Sequence, residues 1–136
     1  ITNGKILSID LKKMENIENV SFLKCDFLEK KTKEKIFNFF GENVDVVLSD
    51  MAANTTGNKS LDCIRTNQLC SSIINFSIQI LKPNGVLVSK LFMGDDFLEV
   101  KHLAKAKFKK VQFFKPESSR GESKETYLHC AVLNTL

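Results

Sequence analysis

Apolar and polar positions alternate along the chain in short blocks with two periodicities. Lys5-Ile6-Leu7-Ser8-Ile9, Val20 to Leu23, Val44 to Ser49 and Val86 to Phe92 have the length and content of strands, bounded by charged or turn residues. Between them, a Lys-rich segment from about Lys30 to Phe40 sets Ile36, Phe39 and Phe40 on one side and stops at Gly41, as a C-cap does. After a polar loop over Asn54 to Ser60, Leu69, Ile73, Phe76 and Ile80 recur at helical spacing and predict a long helix from about Asp62 to Leu81. Lys82-Pro83-Asn84-Gly85 reads as a turn, because Pro ends the helix and Asn-Gly accepts positive φ. Phe97, Val100, Leu103 and Phe108 mark a third helix, with Lys101, Lys105, Lys107 and Lys109 on or near its solvent side.

Val111 to Phe114 and Thr126 to Leu133 are the last strands. They are joined by an excursion over Pro116 to Lys124 that contains no helix, so they are expected to be antiparallel neighbours. The strand-helix rhythm before them is that of a mostly parallel sheet covered on both faces, an α/β class. A chain of 136 residues with 43% hydrophobic content can bury one core, so a single domain over 1–136 is expected.

Charge changes the picture a little. Arg65 and Arg120 are the only arginines among 20 basic residues, set against 16 acids, and the net charge of +4 suits a protein that handles a polyanion. Cys25, Cys63, Cys70 and Cys130 show no Cys-x-x-Cys and no nearby His pair, which supports neither a metal site nor a redox motif. They read as reduced, mostly buried thiols of an intracellular protein. No apolar run approaches the roughly 20 residues of a membrane span, and no signal peptide opens the chain. The first residue is Ile1, and a strand begins almost at once, so a fragment or processed form is expected.

Three carboxylates close apolar strands: Asp10, Asp26 and Asp50. Along the edge of a parallel sheet they could accept hydrogen bonds from ribose hydroxyls, an exocyclic amine or an ammonium, the groups of a nucleoside-bearing cofactor. Taken singly, each also reads as a cap of the next helix or turn. Lys90 lies inside an apolar strand, where an ammonium costs solvation unless a carboxylate or ligand compensates; the alternative is a solvated edge lysine. Glu125 opens the final strand and reads equally as an exposed turn acid. The set Asp50, Lys90 and Glu125 shifts the balance, since each begins or ends a strand at positions compatible with one cleft.

Ser49-Asp50-Met51-Ala52-Ala53-Asn54, Pro83-Asn84-Gly85 through Ser89-Lys90-Leu91-Phe92, and Lys115-Pro116-Glu117-Ser118-Ser119-Arg120 with Ser123-Lys124-Glu125-Thr126-Tyr127 occur in that order. Together they resemble the FtsJ/RrmJ family of S-adenosylmethionine-dependent ribosomal RNA 2′-O-ribose methyltransferases, over essentially the whole chain. The resemblance implies a Rossmann-like class I methyltransferase fold. It matches Asp50, Lys90 and Glu125 to the second, third and fourth members of a Lys-Asp-Lys-Glu catalytic tetrad. It also matches Asp10 to the acid on the cofactor's ribose, Asp26 with the Phe27 backbone to the adenine contact, and Asp50 to a place beside the cofactor's methionine part. The implied cofactor is S-adenosyl-L-methionine. The implied partner is ribosomal RNA in the large ribosomal subunit, with a uridine as target, acted on by a monomer without a membrane; the compartment is cytoplasmic, mitochondrial or nucleolar.

Two departures stand out. Ala53 replaces the usual proline of the motif after Asp50, which loosens that loop. The family's glycine-rich loop, its first strand and its first catalytic lysine have no counterpart, so an upstream segment is expected. Without it, these 136 residues are expected to fold poorly or bind cofactor weakly.

A free ribose hydroxyl is a weak nucleophile, and a lysine of lowered pKa could accept its proton, which makes Lys90 the candidate base. Asp50 beside it favours the charged form, so steering and stabilising the developing oxyanion matter as much as proton removal. Lys101, Lys105, Lys107, Lys109, Lys110 and Lys115, with Phe113 and Phe114, form a candidate RNA-contacting face; the alternative is a solvated surface with the two Phe split between core and solvent. Methylation of an mRNA cap or tRNA ribose, or a non-catalytic RNA-binding module on the same scaffold, are the competing readings.

Overall fold

The computed structural model describes residues 4–53, 56–94, 96–115 and 125–134. Asn54 and the Pro116 to Lys124 stretch of the motifs above lie outside the described residues. The chain divides into two compact units, Ile1–Asn43 and Val44–Leu136.

In the first unit, β1 (Ile6–Asp10) and β2 (Val20–Lys24) pair in parallel, with Asp10 opposite Lys24. Helix α1 (Lys30–Phe40) follows and buries Thr32 and Ile36. Gly41 ends it as expected: at φ 66° it takes the left-handed conformation and its N–H donates to the Phe37 carbonyl.

The second unit holds β3 (Val44–Ser49), α2 (Lys59–Ile80), β4 (Leu81–Phe92), α3 (Phe97–Lys107), β5 (Phe108–Phe114) and β6 (Glu125–Leu133). Its sheet runs β3-β4-β6-β5, with β3 parallel to β4 and β6 antiparallel to both β4 and β5. The antiparallel pairing of the last two strands is thus as expected. Leu87, Leu91, Leu128 and Cys130 on one face of this sheet are fully buried, with Ile74 and Ala104 of the helices. Each Leu or Ile so buried contributes roughly 1.5–3 kcal/mol. On the other face, Val46 and Leu48 of the edge strand β3 are exposed.

Three boundaries differ from the sequence expectation. Helix α2 starts at Lys59, because the Asn58 side chain accepts from the Leu61 N–H and caps it earlier than the polar composition implied. Strand β4 begins at Leu81, which pairs with Val44; the next pair is Val46 with Val86, so Lys82 to Gly85 form an interruption of the ladder instead of a turn before it. Neither Asn84 nor Gly85 has positive φ. Gly85 is required for closeness: a Cβ there would lie 3.0 Å from the Lys82 carbonyl oxygen and 3.2 Å from that of Asp45. Third, Phe108 is the first residue of β5 and not the end of α3, although it is buried as its apolar spacing implied.

Of the apolar positions expected along α2, Ile73, Phe76 and Ile80 are buried and Leu69 is half-buried; the buried face is wider than the apolar one and also takes in Cys63, Thr66, Asn67, Cys70, Ile74 and Ser77. Small polar residues occupy the helix face nearest the strands, and an apolar period cannot reveal them. All four cysteines are free thiols, and Cys63, Cys70 and Cys130 are buried. No helix of the described residues is long and apolar enough to cross a membrane.

Candidate active site

Parallel pairing of β3 with β4 sets Ser49 opposite Ser89, so Asp50 and Lys90 follow as neighbours at the carboxyl ends of adjacent strands. Antiparallel pairing of β4 with β6 sets Lys90 opposite Tyr127 and Phe92 opposite Glu125. Three strands therefore deliver the predicted trio to one place. Lys90 Nζ lies 3.1 Å from Asp50 Oδ1 and 3.4 Å from Glu125 Oε1. The lysine side chain is only 15% exposed whereas Asp50 is 72% exposed, so the ammonium is sheltered and the carboxylate reaches solvent.

This arrangement sets the proton state of Lys90. Burial alone pulls its pKa down, but the hydrogen bond and charge of Asp50, joined by Glu125, outweigh burial and raise it above the ordinary lysine value. A lowered lysine pKa, the condition for a simple general base, is therefore not what the structure provides. Two carboxylates within ion-pair distance are the physical reason.

Tyr127 belongs to the same cluster and was not singled out from the sequence. Its hydroxyl donates to Asp50 Oδ1 at 2.7 Å, and its ring stacks on Phe114 with centroids 5.8 Å apart. The hydrogen bond to Asp50 raises the Tyr127 pKa, burial adding to it. The signal was present: Tyr127 lies two residues after Glu125, and strand alternation puts both on one face of β6.

Helix α2 holds both strand ends with adjacent side chains. Thr66 Oγ1 accepts from the Ala53 N–H at 3.0 Å, which fastens the segment after Asp50. Asn67 Nδ2 donates to the Phe92 carbonyl at 2.9 Å and to Asp96 Oδ1 at 2.7 Å, while its Oδ1 accepts from the Phe92 N–H at 2.8 Å. Both side chains are essentially solvent-free. A buried amide with its groups satisfied fixes the end of β4, two residues beyond Lys90. In the segment that replaces the usual proline with Ala53, the Thr66 bond supplies the constraint.

The remaining predicted residues lie in the first unit. Asp10 Oδ1 accepts from the Lys12 N–H at 3.1 Å, and Asp26 Oδ1 accepts from the Leu28 N–H at 2.9 Å. The cap reading of each is thus realised through one carboxylate oxygen. No hydrogen bond is recorded to the other oxygen among the described residues, and acceptor-only oxygens suit the hydroxyls and amine of a nucleoside. Thr32 Oγ1 donates to the Asp26 carbonyl and ties α1 to this turn. The Phe27 ring is buried with the Lys33 ammonium 5.3 Å from its centroid, so the ring anchors the turn in the core of this unit. No group of side chains among the described residues could hold a metal ion.

The two candidate RNA-facing aromatics divide. Phe113 packs against Phe97 of α3 at 4.8 Å, and Phe114 is exposed on the opposite face. Lys105, Lys107, Lys109, Lys110 and Lys115 are exposed and Lys101 is half-buried.

Residues 1–133 match the model of the family described as FtsJ-like methyltransferase. The chain is 48% identical over 133 residues to ribosomal RNA large subunit methyltransferase E of Pelagibacter ubique, covering 98% of this chain and 66% of that one. It is 47% identical over 126 residues to the protein of the same name from Rickettsia akari, covering 93% of this chain and 56% of that one. The chain thus spans less than two thirds of the length of either relative. Among solved structures, a provisionally named ribosomal RNA methyltransferase from Plasmodium falciparum superposes with a TM-score of 0.82 at 29% identity, over 95% of this chain and 72% of that one. Human methyltransferase-like protein 13, crystallised with SAH, superposes with a TM-score of 0.62 at 18% identity, over 94% of this chain and 61% of that one; it shares the α/β methyltransferase fold.

Proposed function

This chain belongs to the FtsJ-like methyltransferase family, and on that premise we propose that it is the core of an S-adenosyl-L-methionine-dependent RNA 2′-O-ribose methyltransferase acting on a uridine of large-subunit ribosomal RNA. The observation that carries this reading is the sheltered Lys90 ammonium between Asp50 and Glu125 at the ends of three neighbouring strands. The two large-subunit relatives favour ribosomal RNA over a cap or tRNA. We further propose that both compact units serve one methyltransferase domain, which acts as a monomer in the compartment that holds its ribosomal substrate.

Cofactor binding is assigned to Asp10 for the ribose hydroxyls, Asp26 and the Phe27 main chain for adenine, and Asp50 for the methionine part. Acceptor-only carboxylates at the first two positions suit those groups. When bound, the cofactor supplies a sulfonium methyl; the new O–CH3 bond forms as the S–CH3 bond breaks, leaving a neutral thioether.

The chain's own part is orientation and charge. Lys90, held protonated, donates an N–H to one lone pair of the attacking 2′-oxygen and so aims the other lone pair at the methyl carbon. Asp50 and Glu125 fix the direction of that N–H, and Tyr127 fixes Asp50. Proton release follows from the transfer itself, because an oxygen bearing both hydrogen and the new methyl is strongly acidic and loses its proton to water.

The test is methyl transfer from S-adenosylmethionine to unmodified large ribosomal subunits, comparing wild type with Lys90→Ala. The expected result is loss of transfer of roughly a hundredfold or more with cofactor affinity largely preserved. Transfer by the variant within a few-fold of wild type overturns the assignment, and transfer by wild type to a cap or tRNA alone overturns the ribosomal substrate.

A further inference from the structure

We propose that the exposed ring of Phe114, backed by Tyr127, is a stacking platform for a nucleobase of the RNA strand beside the methylated nucleotide, and that Lys110 on the same strand face meets that strand's phosphate. The inference rests on the RNA reading above and assigns it a path across the protein.

The register places the platform. Lys90 pairs with Tyr127 across β4 and β6, and Tyr127 pairs with Phe114 across β6 and β5, so the three residues form a row over neighbouring strands. Strands lie about 4.8 Å apart, which puts the Phe114 backbone about 10 Å from that of Lys90. This separation suits a base adjoining the nucleotide whose ribose meets Lys90. The Phe114 and Tyr127 rings are inclined by only 22°, so the outer face of Phe114 continues a stack that already exists. Tyr127 cannot rotate out of that stack without losing its bond to Asp50.

Exposure and charge point to the occupant. Phe114 is 46% exposed, whereas its neighbour Phe113 fills the packing role against α3, so the core does not require a second aromatic. Along β5, side chains on one face recur about every 7 Å, and Lys110 and Gln112 share the Phe114 face. Strand β5 carries Lys109 and Lys110 and no carboxylate. An aromatic face continued by amide and ammonium groups is how single-stranded RNA is held, bases on rings and phosphates on cations. An apolar protein partner would have no use for the lysines.

The experiment measures RNA affinity and methyl transfer separately for wild type, Phe114→Ala, Phe114→Leu and Phe114→Trp. Affinity is read by fluorescence anisotropy with a labelled single-stranded RNA spanning the modified uridine, and again with the same RNA carrying an abasic nucleotide next to it. The expected result is a loss of affinity of about tenfold for Ala and Leu and near wild-type binding for Trp. The abasic RNA should bind wild type and Phe114→Ala equally. Wild-type affinity in Phe114→Leu, or an undiminished gap between the two proteins on abasic RNA, overturns the platform. If the affinity pattern holds and wild type transfers methyl to no RNA, the platform stands and the proposed function fails; if wild type methylates and all variants bind alike, the reverse holds.

Discussion

Lys90 and Tyr127 face each other across the β4–β6 pair and converge on the same carboxylate oxygen, Asp50 Oδ1, at 3.1 and 2.7 Å. One oxygen thus receives a charged donor and a neutral one, and the direction of the exposed Asp50 carboxylate is set by both. Tyr127→Phe keeps the ring on Phe114 and removes only the hydroxyl. Loss of one hydrogen bond of about 1–1.5 kcal/mol predicts a fall in kcat of about tenfold, with a smaller rise in cofactor Kd because Asp50 is also assigned to the methionine part. Isothermal titration with cofactor beside steady-state kinetics would check both halves.

Lys90 gives a prediction in pH. Its raised pKa keeps it charged through the neutral and mildly alkaline range, so a protonated Lys90 acting by orientation predicts a kcat that does not climb between about pH 7 and 9.5. A tenfold rise per pH unit over that range would show that neutral Lys90 is the active form.

Alkaline stability follows from the same cluster. The folded-state pKa values of Lys90 and Tyr127 both lie above their ordinary values of 10.5 and 10.0. Their contribution is therefore complete below the unfolded values and is lost as pH rises through the folded ones. Urea midpoints should be unaffected by this cluster from pH 7 to about 9 and decline above about 10, with a shallower decline in Lys90→Met.

Asn67 tests the support beneath the site. Asn67→Ala leaves the Phe92 N–H and carbonyl and the Asp96 carboxylate short of a partner, a cost of about 1–3 kcal/mol in urea denaturation. Asn67→Asp is expected to be worse near neutral pH, because it sets a second carboxylate against Asp96, and to recover partly as pH falls. Equal destabilisation at all pH values would show that packing, and not charge, dominates there.

Gly85→Ala probes the ladder interruption before the lysine strand. The added methyl meets the Lys82 and Asp45 carbonyl oxygens, both main chain and unable to swing aside, so a loss of about 1–3 kcal/mol is expected. The urea midpoint should fall while the slope stays constant.

Much of this was legible in the sequence because it is local. Strand runs of period two, the Gly41 stop and the carboxylates at strand ends are properties of neighbouring residues, and each element lies where its pattern put it, within a few positions at the ends. Strand ends also announced Asp50 and Glu125, and Lys90 stood out as a charge inside an apolar run.

What escaped depended on partners far along the chain. Thr66 and Asn67 look like ordinary helix polar residues, and only the proximity of Ala53, Phe92 and Asp96 turns them into the clasp of two strand ends. Tyr127 carries no local mark of function, and only strand pairing sets it opposite Lys90. By itself the sequence determined the elements, their order and the acids and lysine available for chemistry, because periodicity and residue type act within a few residues. The tertiary structure decided the proton state of Lys90, the separate fates of Phe113 and Phe114, and the sharing of one Asp50 oxygen by two donors. Those outcomes depend on distances of a few ångströms between strands, and Coulomb and hydrogen-bond energies change steeply over that range.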